Sequence, residues 1–168
     1  MSRLDGVVLL IAQLLYGGGL RLMEALRLRV KDIDFEYAQI LVRDGKGQKD
    51  RATILPEGVA AALQAHLETI RAEHLRAVEH GYGGVELPHA LERKYPHAHL
   101  DWGWQYVFPS AQPSRDPRTG FFRRHHVHER TVQRAVRVAA RSVGIEKPVG
   151  PPHAAPLLRH APARRRSG

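Results

Sequence analysis

The chain has 168 residues, with 26 Lys+Arg against 17 Asp+Glu and a formal charge of +9 when its 11 histidines are neutral. That length suits one domain, and 43% hydrophobic with 26% charged residues is the balance of a chain able to bury a core. The absence of cysteine excludes disulfides, iron–sulfur clusters, thiolate catalysis and Cys-based zinc sites, and no apolar run approaches the roughly 18 residues of a membrane span.

The first residues lack the charged region and small-residue cleavage site of a signal peptide. The surplus positive charge makes a polyanion the first partner to consider, although anionic lipid or mere solubility would account for the same charge. In chain order, Asp5–Tyr16 places Val8, Leu9, Ala12 and Leu15 or Tyr16 at helical spacing. Gly17, Gly18 and Gly19 interrupt that helix, and Leu20–Leu28 resumes one with Leu22, Met23 and Leu26 on one side. Asp32–Phe35 reads as a turn. Gln39–Arg43 and Ala52–Leu55 read as the two strands of a hairpin around Gly45-Lys46-Gly47-Gln48-Lys49-Asp50.

Pro56 suits the first turn of the next helix. Val59, Leu63, Leu67 and Ile70 line one face of it, and Gly81, Gly83 and Gly84 end it. From Val85 to Gly120 the pattern loosens, leaving a short helix near His89–Lys94 and a short strand near Gln105–Phe108. Glu129–Val143 is an amphipathic helix with Val132, Ala135, Val136, Ala139 and Val143 on its apolar face and Gly144 placed to cap it. After Pro148 no helix or strand period remains, and the chain ends in a proline- and arginine-rich stretch. The fold class is α+β, mainly α, with a small antiparallel hairpin sheet.

The stretch LLYGGGLRLMEALRLRVKDIDFEYAQILVRDGKGQKDRATILP, Leu14 to Pro56, resembles the first half of a tyrosine recombinase catalytic domain. It holds the Leu-Leu-Tyr-x-x-Gly-Leu-Arg run, a Glu three residues after that Arg, and a Gly-Lys-Gly hairpin with a trailing Lys and Arg. ALERKYPHAHLDWGWQYVFPS (Ala90–Ser110) and DPRTGFFRRHHVHERTVQRAV (Asp116–Val136) resemble the integron integrases, with their extra insertion within 85–126. The resemblance covers Leu4 to His153. It implies a tyrosine-recombinase catalytic-domain fold over 1–153, incomplete at both ends, and leaves 154–168 as an irregular basic tail.

Such enzymes cleave a DNA phosphodiester with a tyrosine, without metal or cofactor. Fixed guanidinium forks hold the nonbridging oxygens, and a hairpin lysine can protonate the leaving 5′-oxygen. By the resemblance, Arg21 is the first arginine, Lys46 the lysine, and His153 the histidine of a His-x-x-Arg motif. Taken alone, Arg21 reads as an arginine paired with Glu24 at i+3, and Gly45-Lys46-Gly47 as an ordinary hairpin tip.

Three departures stand out. The match begins inside the catalytic domain, without the core-binding domain of the family. Pro156 stands where the second arginine belongs. The tyrosines are Tyr16, Tyr37, Tyr82, Tyr95 and Tyr106, all before His153, whereas the family nucleophile follows it. The expectation is therefore a chain inactive by itself. A two-base deletion after the His153 codon would turn a family-like His-Thr-Leu-Arg-His-Ser-Phe-Ala-Thr-His-Leu-Leu run into His153–Arg164, making 154–168 an out-of-frame tail; a divergent tail is the rival. The gene sequence decides between them.

Integron integrases act on folded single strands with unstacked bases, and the resemblance places Trp104, Pro117, His125 and His126 at such bases. Arg123 and Arg124 are the foremost candidates for phosphate contact among the arginines from Arg115 to Arg137. The plainer reading of Trp104 is a core aromatic, and that of the arginines a solvated face. His125, His126 and His128 are dense enough to suggest a metal, but 125 and 126 point to opposite sides of a strand and no cysteine supports them, so no metal is expected. The implied partner is DNA, as folded or duplex recombination sites, in a bacterial cytoplasm and without membrane contact. The family tetramerises on DNA by exchanging a C-terminal helix, which this chain does not supply. A non-catalytic DNA-binding remnant, a pseudogene product, and a basic RNA-binding or assembly protein are the alternatives.

Overall fold

Helix α1 (Gly6–Gly17) is present where expected, but its buried face is Leu10, Ile11, Leu14 and Leu15. Of the residues marked by spacing only Leu15 is buried, while Val8, Leu9 and Ala12 are partly buried and Tyr16 is exposed, because the helix is apolar nearly all round. The structure is a computed structural model describing residues 6–43, 50–87, 91, 94–116, 120–142 and 144. The glycine run after α1 is a packing requirement. A Cβ on Gly18 would lie 2.9 Å from the Leu14 carbonyl oxygen and 3.2 Å from that of Ile54, and Gly19 holds φ at +63°. The chain thus turns off α1 while lying directly on a strand, which only glycine permits.

Helix α2 (Leu22–Leu26) is shorter than the predicted Leu20–Leu28. Arg21 is still extended at φ −77°, ψ 156°, and Arg27 already closes the helix. Both its buried leucines and Ala25 face the core. The expected turn over Asp32–Phe35 is instead a 3-10 turn at Val30–Asp32 running into strand β1 (Ile33–Asp34). Asp32 fixes that turn by accepting the Arg29 backbone N–H at 3.1 Å, and Ile33 pairs with Ile40.

Strands β2 (Gln39–Val42) and β3 (Arg51–Ile54) complete an antiparallel sheet of order β1-β2-β3. The hairpin predicted at Gln39–Leu55 is therefore present, with one more strand than its sequence pattern announced. Ile40 and Val42 are buried in alternation along β2. The tip of the hairpin, with Lys46, lies outside the described residues.

Helix α3 (Glu57–Glu79) follows, with Pro56 at its N-cap. Val59, Leu63, Leu67 and Ile70 are buried as their spacing requires, and His74 and Ala77 continue the stripe. Gly81, at φ +79°, ends the helix. The apolar faces of α1, α2, β2 and α3 meet in one core that also takes in Val107, Phe108 and Val132. A smaller cluster of Val85, Leu87, Ala98 and Tyr106 lies beside it, with Trp104 against it.

The predicted strand at Gln105–Phe108 is not a ladder. It is an extended segment held by single pairings: Val30 N–H to the Gln105 carbonyl, Val107 N–H to Leu28, and Val127 N–H to Phe108. It threads between two other segments, so each side offers it only one or two partners. Arg29 reinforces this region. Its half-buried side chain donates from the guanidinium to the carbonyls of Trp104 (2.7 Å) and Glu86 (2.9 Å) and to the Tyr106 hydroxyl (3.0 Å).

Two short strands absent from the sequence expectation, β4 (Ser114–Arg115) and β5 (Phe122–Arg123), form a ribbon. Helix α4 (Glu129–Ser142) matches its prediction closely and packs Val132 into the core. Gly144 has φ +79°, suited to the predicted cap. Leu91 and Lys94 are helical; the rest of the predicted helix at 89–94 and the tail from 145 lie outside the described residues.

Candidate nucleic-acid interface

Arg21 owes its position to the glycine turn and to Glu24. Its backbone N–H donates to Glu24 Oε2 at 2.8 Å, and its Nη1 donates to Oε1 at 3.0 Å. The i+3 pairing expected of a lone arginine is thus present. A second cation shares the same carboxylate: Arg51 Nη2 donates to Glu24 Oε2 at 2.8 Å and to the Gly19 carbonyl at 3.3 Å. The Glu24 side chain is 8% exposed while the Arg21 and Arg51 side chains are each 39% exposed. Two solvent-reaching forks with one buried counter-charge leave a net positive site, suited to a phosphate.

Arg51 opens β3, the return strand of the hairpin that contains Lys46. Just past the end of β2, Arg43 donates from Nε to Asp32 Oδ1 at 2.7 Å. The base of the hairpin is thereby tied to the Arg21 turn through Glu24. Lys46 and His153 lie outside the described residues. Arg51 was visible in the sequence only as the arginine trailing the hairpin; its partnership with Glu24 arises from the tertiary approach of β3 to α2.

Trp104 is half-buried, and Lys31 Nζ stands 2.9 Å from its ring centroid. Burial, with Arg43 nearby, lowers the pKa of that ammonium. One face of Trp104 is thus already covered by a cation. Trp102 packs on the main core and tilts against His74.

His125 and His126 lie on the segment paired with 108–110: Ser110 N–H donates to the His125 carbonyl at 2.7 Å. His126 sits edge-on to Tyr106 with ring centroids 5.3 Å apart. Burial foremost, then Arg27, His125 and Arg29, push its pKa down. Among the described residues no group of three or more His, Asp or Glu is placed to hold a metal ion.

The two arginines singled out for phosphate contact differ in placement. Arg123 points inward, its side chain 8% exposed and its Nη1 3.9 Å from Asp116 Oδ2. β5 alternates, and Arg123 takes the inner face. Arg124 donates to Glu73 Oε2 at 3.0 Å on α3 and keeps part of its side chain in solvent. Pro117 lies outside the described residues.

A model described as the phage integrase family matches residues 4–165. The chain belongs to the phage integrase family. This family member is 50% identical over 167 residues to proteins named integrase/recombinase from Escherichia coli and from Pseudomonas aeruginosa, covering 98% of this chain and 48% of each of theirs. It therefore spans about half the length of those curated relatives. A tyrosine recombinase XerA from Thermococcus onnurineus is 48% identical over 60 residues, or 36% of this chain and 21% of that protein. The crystal structure of XerA recombinase aligns with a TM-score of 0.50 at 24% identity, over 88% of this chain and 39% of that one, which shows the shared fold. No described helix is long and apolar enough to cross a membrane.

Proposed function

We propose that this chain is the phosphate-gripping portion of an integron-type tyrosine recombinase catalytic domain, which binds recombination-site DNA of gene cassettes and does not cut it unaided. The observation that carries this reading is the pair of guanidinium forks on one buried carboxylate, Arg21 and Arg51 on Glu24, at the foot of the hairpin that contains Lys46. Arg21 supplies the fork for the nonbridging oxygens, and Lys46 the proton for the leaving oxygen. His153 is the remaining member of the set.

In the intact reaction a tyrosine hydroxyl attacks phosphorus, a 3′-phosphotyrosine bond forms, the bond from phosphorus to the 5′-oxygen breaks, and that oxygen takes up a proton. Every tyrosine of this sequence precedes His153, and Pro156 replaces the second arginine. Cleavage would need both groups from outside these residues. The out-of-frame reading of 154–168 accounts for both losses together. Integron-type recognition is supported by the aromatic and histidine residues of the insertion region, with Trp104, Pro117, His125 and His126 meeting unstacked bases and Arg124 a phosphate. Arg123 joins the ribbon to Asp116 from within.

The test is a nicked suicide substrate whose cleavage would trap a covalent protein–DNA adduct. The expected result is binding that weakens steeply with salt, a preference for the folded strand over duplex, and no adduct. A trapped adduct overturns the inactivity; binding equal for any polyanion overturns the recombination-site reading.

A further inference from the structure

Glu24 has more cations than it needs. Arg21 alone engages both of its oxygens, the backbone N–H on Oε2 at 2.8 Å and Nη1 on Oε1 at 3.0 Å. Arg51 nevertheless donates from Nη2 to the same Oε2 at 2.8 Å. The carboxylates of Asp32 and Asp50 face a different cation: Arg43 Nε takes Asp32 Oδ1 at 2.7 Å, and Arg43 Nη1 stands 3.9 Å from Asp50 Oδ2. Around Glu24 two positive charges therefore stand against one negative. A structural brace for a buried carboxylate would need only one of them.

Strand register explains how Arg51 arrives there. It pairs with buried Val42, and Thr53 pairs with buried Ile40, so both project from the inner face of β3. Thr53 Oγ1 donates to the Gly18 carbonyl at 2.7 Å, and Arg51 Nη2 reaches that of Gly19 at 3.3 Å. β3 is thus fastened along the glycine turn, and the Arg51 guanidinium is placed before any ligand arrives. Each guanidinium still has donors to offer. Arg21 commits only Nη1 and Arg51 only Nη2; among the described residues the Nε and the other Nη of each hold no hydrogen bond or ion pair. Both side chains reach solvent. Two unused donor edges anchored on one carboxylate suit the two nonbridging oxygens of a phosphodiester.

We propose that Arg51 is a phosphate-binding residue in its own right, holding one nonbridging oxygen of the same DNA phosphodiester whose other nonbridging oxygen Arg21 holds. The proposal rests on the phosphate-gripping reading above and adds to it a ligand contributed by β3, with Glu24 as the common anchor.

The experiment is an NMR titration of the isotope-labelled 168-residue chain that follows the arginine Nε–H signals, assigned with Arg21→Lys and Arg51→Lys. Inorganic phosphate is the first probe and a plain DNA duplex the second, with sodium chloride at matched ionic strength as the control. The Nε–H signals of Arg21 and Arg51 are expected to move together along one binding curve with each probe, and to stay still in chloride. Arg51→Lys should stay folded, because Glu24 retains both bonds from Arg21. It should weaken phosphate binding, read at Arg21, roughly tenfold, as expected when a charge-assisted fork is lost. An Arg51 signal that stays still while that of Arg21 moves, or two signals on different curves, overturns the shared site. So does full binding by Arg51→Lys, which would reduce Arg51 to a brace for Glu24, and so does an equal response to chloride. A response to free phosphate without one to the duplex overturns the assignment to a DNA phosphodiester. The wild-type titration decides the matter by itself should the variant unfold. Movement of Arg21 alone sinks this inference only, whereas silence of both arginines with both probes sinks the phosphate-gripping reading along with it.

Discussion

Glu24 joins residues that sequence distance keeps apart. Its spacing from Arg21 made their ion pair readable at once, since i and i+3 meet on a helix turn. Its bond to Arg51 was not readable, because it depends on β3 lying against the glycine turn. The carboxylate is buried and the guanidiniums reach solvent. Glu24→Gln removes the counter-charge and leaves two cations facing each other across a neutral amide. The expected loss is on the order of 1–3 kcal/mol, toward the lower end because water screens both guanidiniums. The shift of the urea unfolding midpoint measures it. Arg123 is the opposite case: nothing in a run of arginines marks which one strand alternation sends inward.

Among the elements, those with long apolar periods were the most legible. α3 repeats buried residues over several turns, so its existence and face followed from spacing alone. α1 and α4 were legible as helices, but α1 buries Leu10, Ile11, Leu14 and Leu15 where spacing marked Val8, Leu9, Ala12 and Leu15 or Tyr16, and α4 buries Val132 and Ala140. The short elements were not, because β1, β4 and β5 are two residues each and are made by their partners rather than by a pattern of their own. The glycine turn between α1 and α2 was legible as an interruption but not as a contact surface. Gly18→Ala tests that contact. The added methyl meets the Leu14 and Ile54 carbonyl oxygens, both backbone atoms that cannot swing aside. The variant should be less stable by roughly 1–3 kcal/mol, seen as a lower thermal midpoint, while Gly58→Ala on α3, where a Cβ meets nothing within 4 Å, should not lose stability.

Across the whole molecule, two partly buried histidines link stability to pH. Burial lowers the pKa of His74, with Arg124 adding to the effect, and burial likewise lowers that of His126. Each binds its proton more weakly in the folded chain than at the ordinary value of 6.5. The unfolded chain therefore takes up protons first as pH falls, and stability declines from about pH 6.5 downward through the lower folded values. Urea melts at pH 7.5 and 5.5 should show this decline, and His74→Gln, which keeps a donor for the Leu100 carbonyl now bonded to His74 Nε2, should flatten it. What composition announced at this scale was the charge; which groups would titrate depended on packing that no local pattern encodes.

The grip of Arg29 has a consequence for the loosely patterned middle of the chain. That stretch has few regular elements, and a contour of its secondary structure alone would suggest that it peels away early. Yet three of its groups, the carbonyls of Glu86 and Trp104 and the Tyr106 hydroxyl, terminate on one desolvated cation rooted at the end of the first helical pair. Peeling it off would break those bonds and pull Val107 and Phe108 out of the main core, so the segment opens in concert with the leucine-rich interior and belongs to the same cooperative unit.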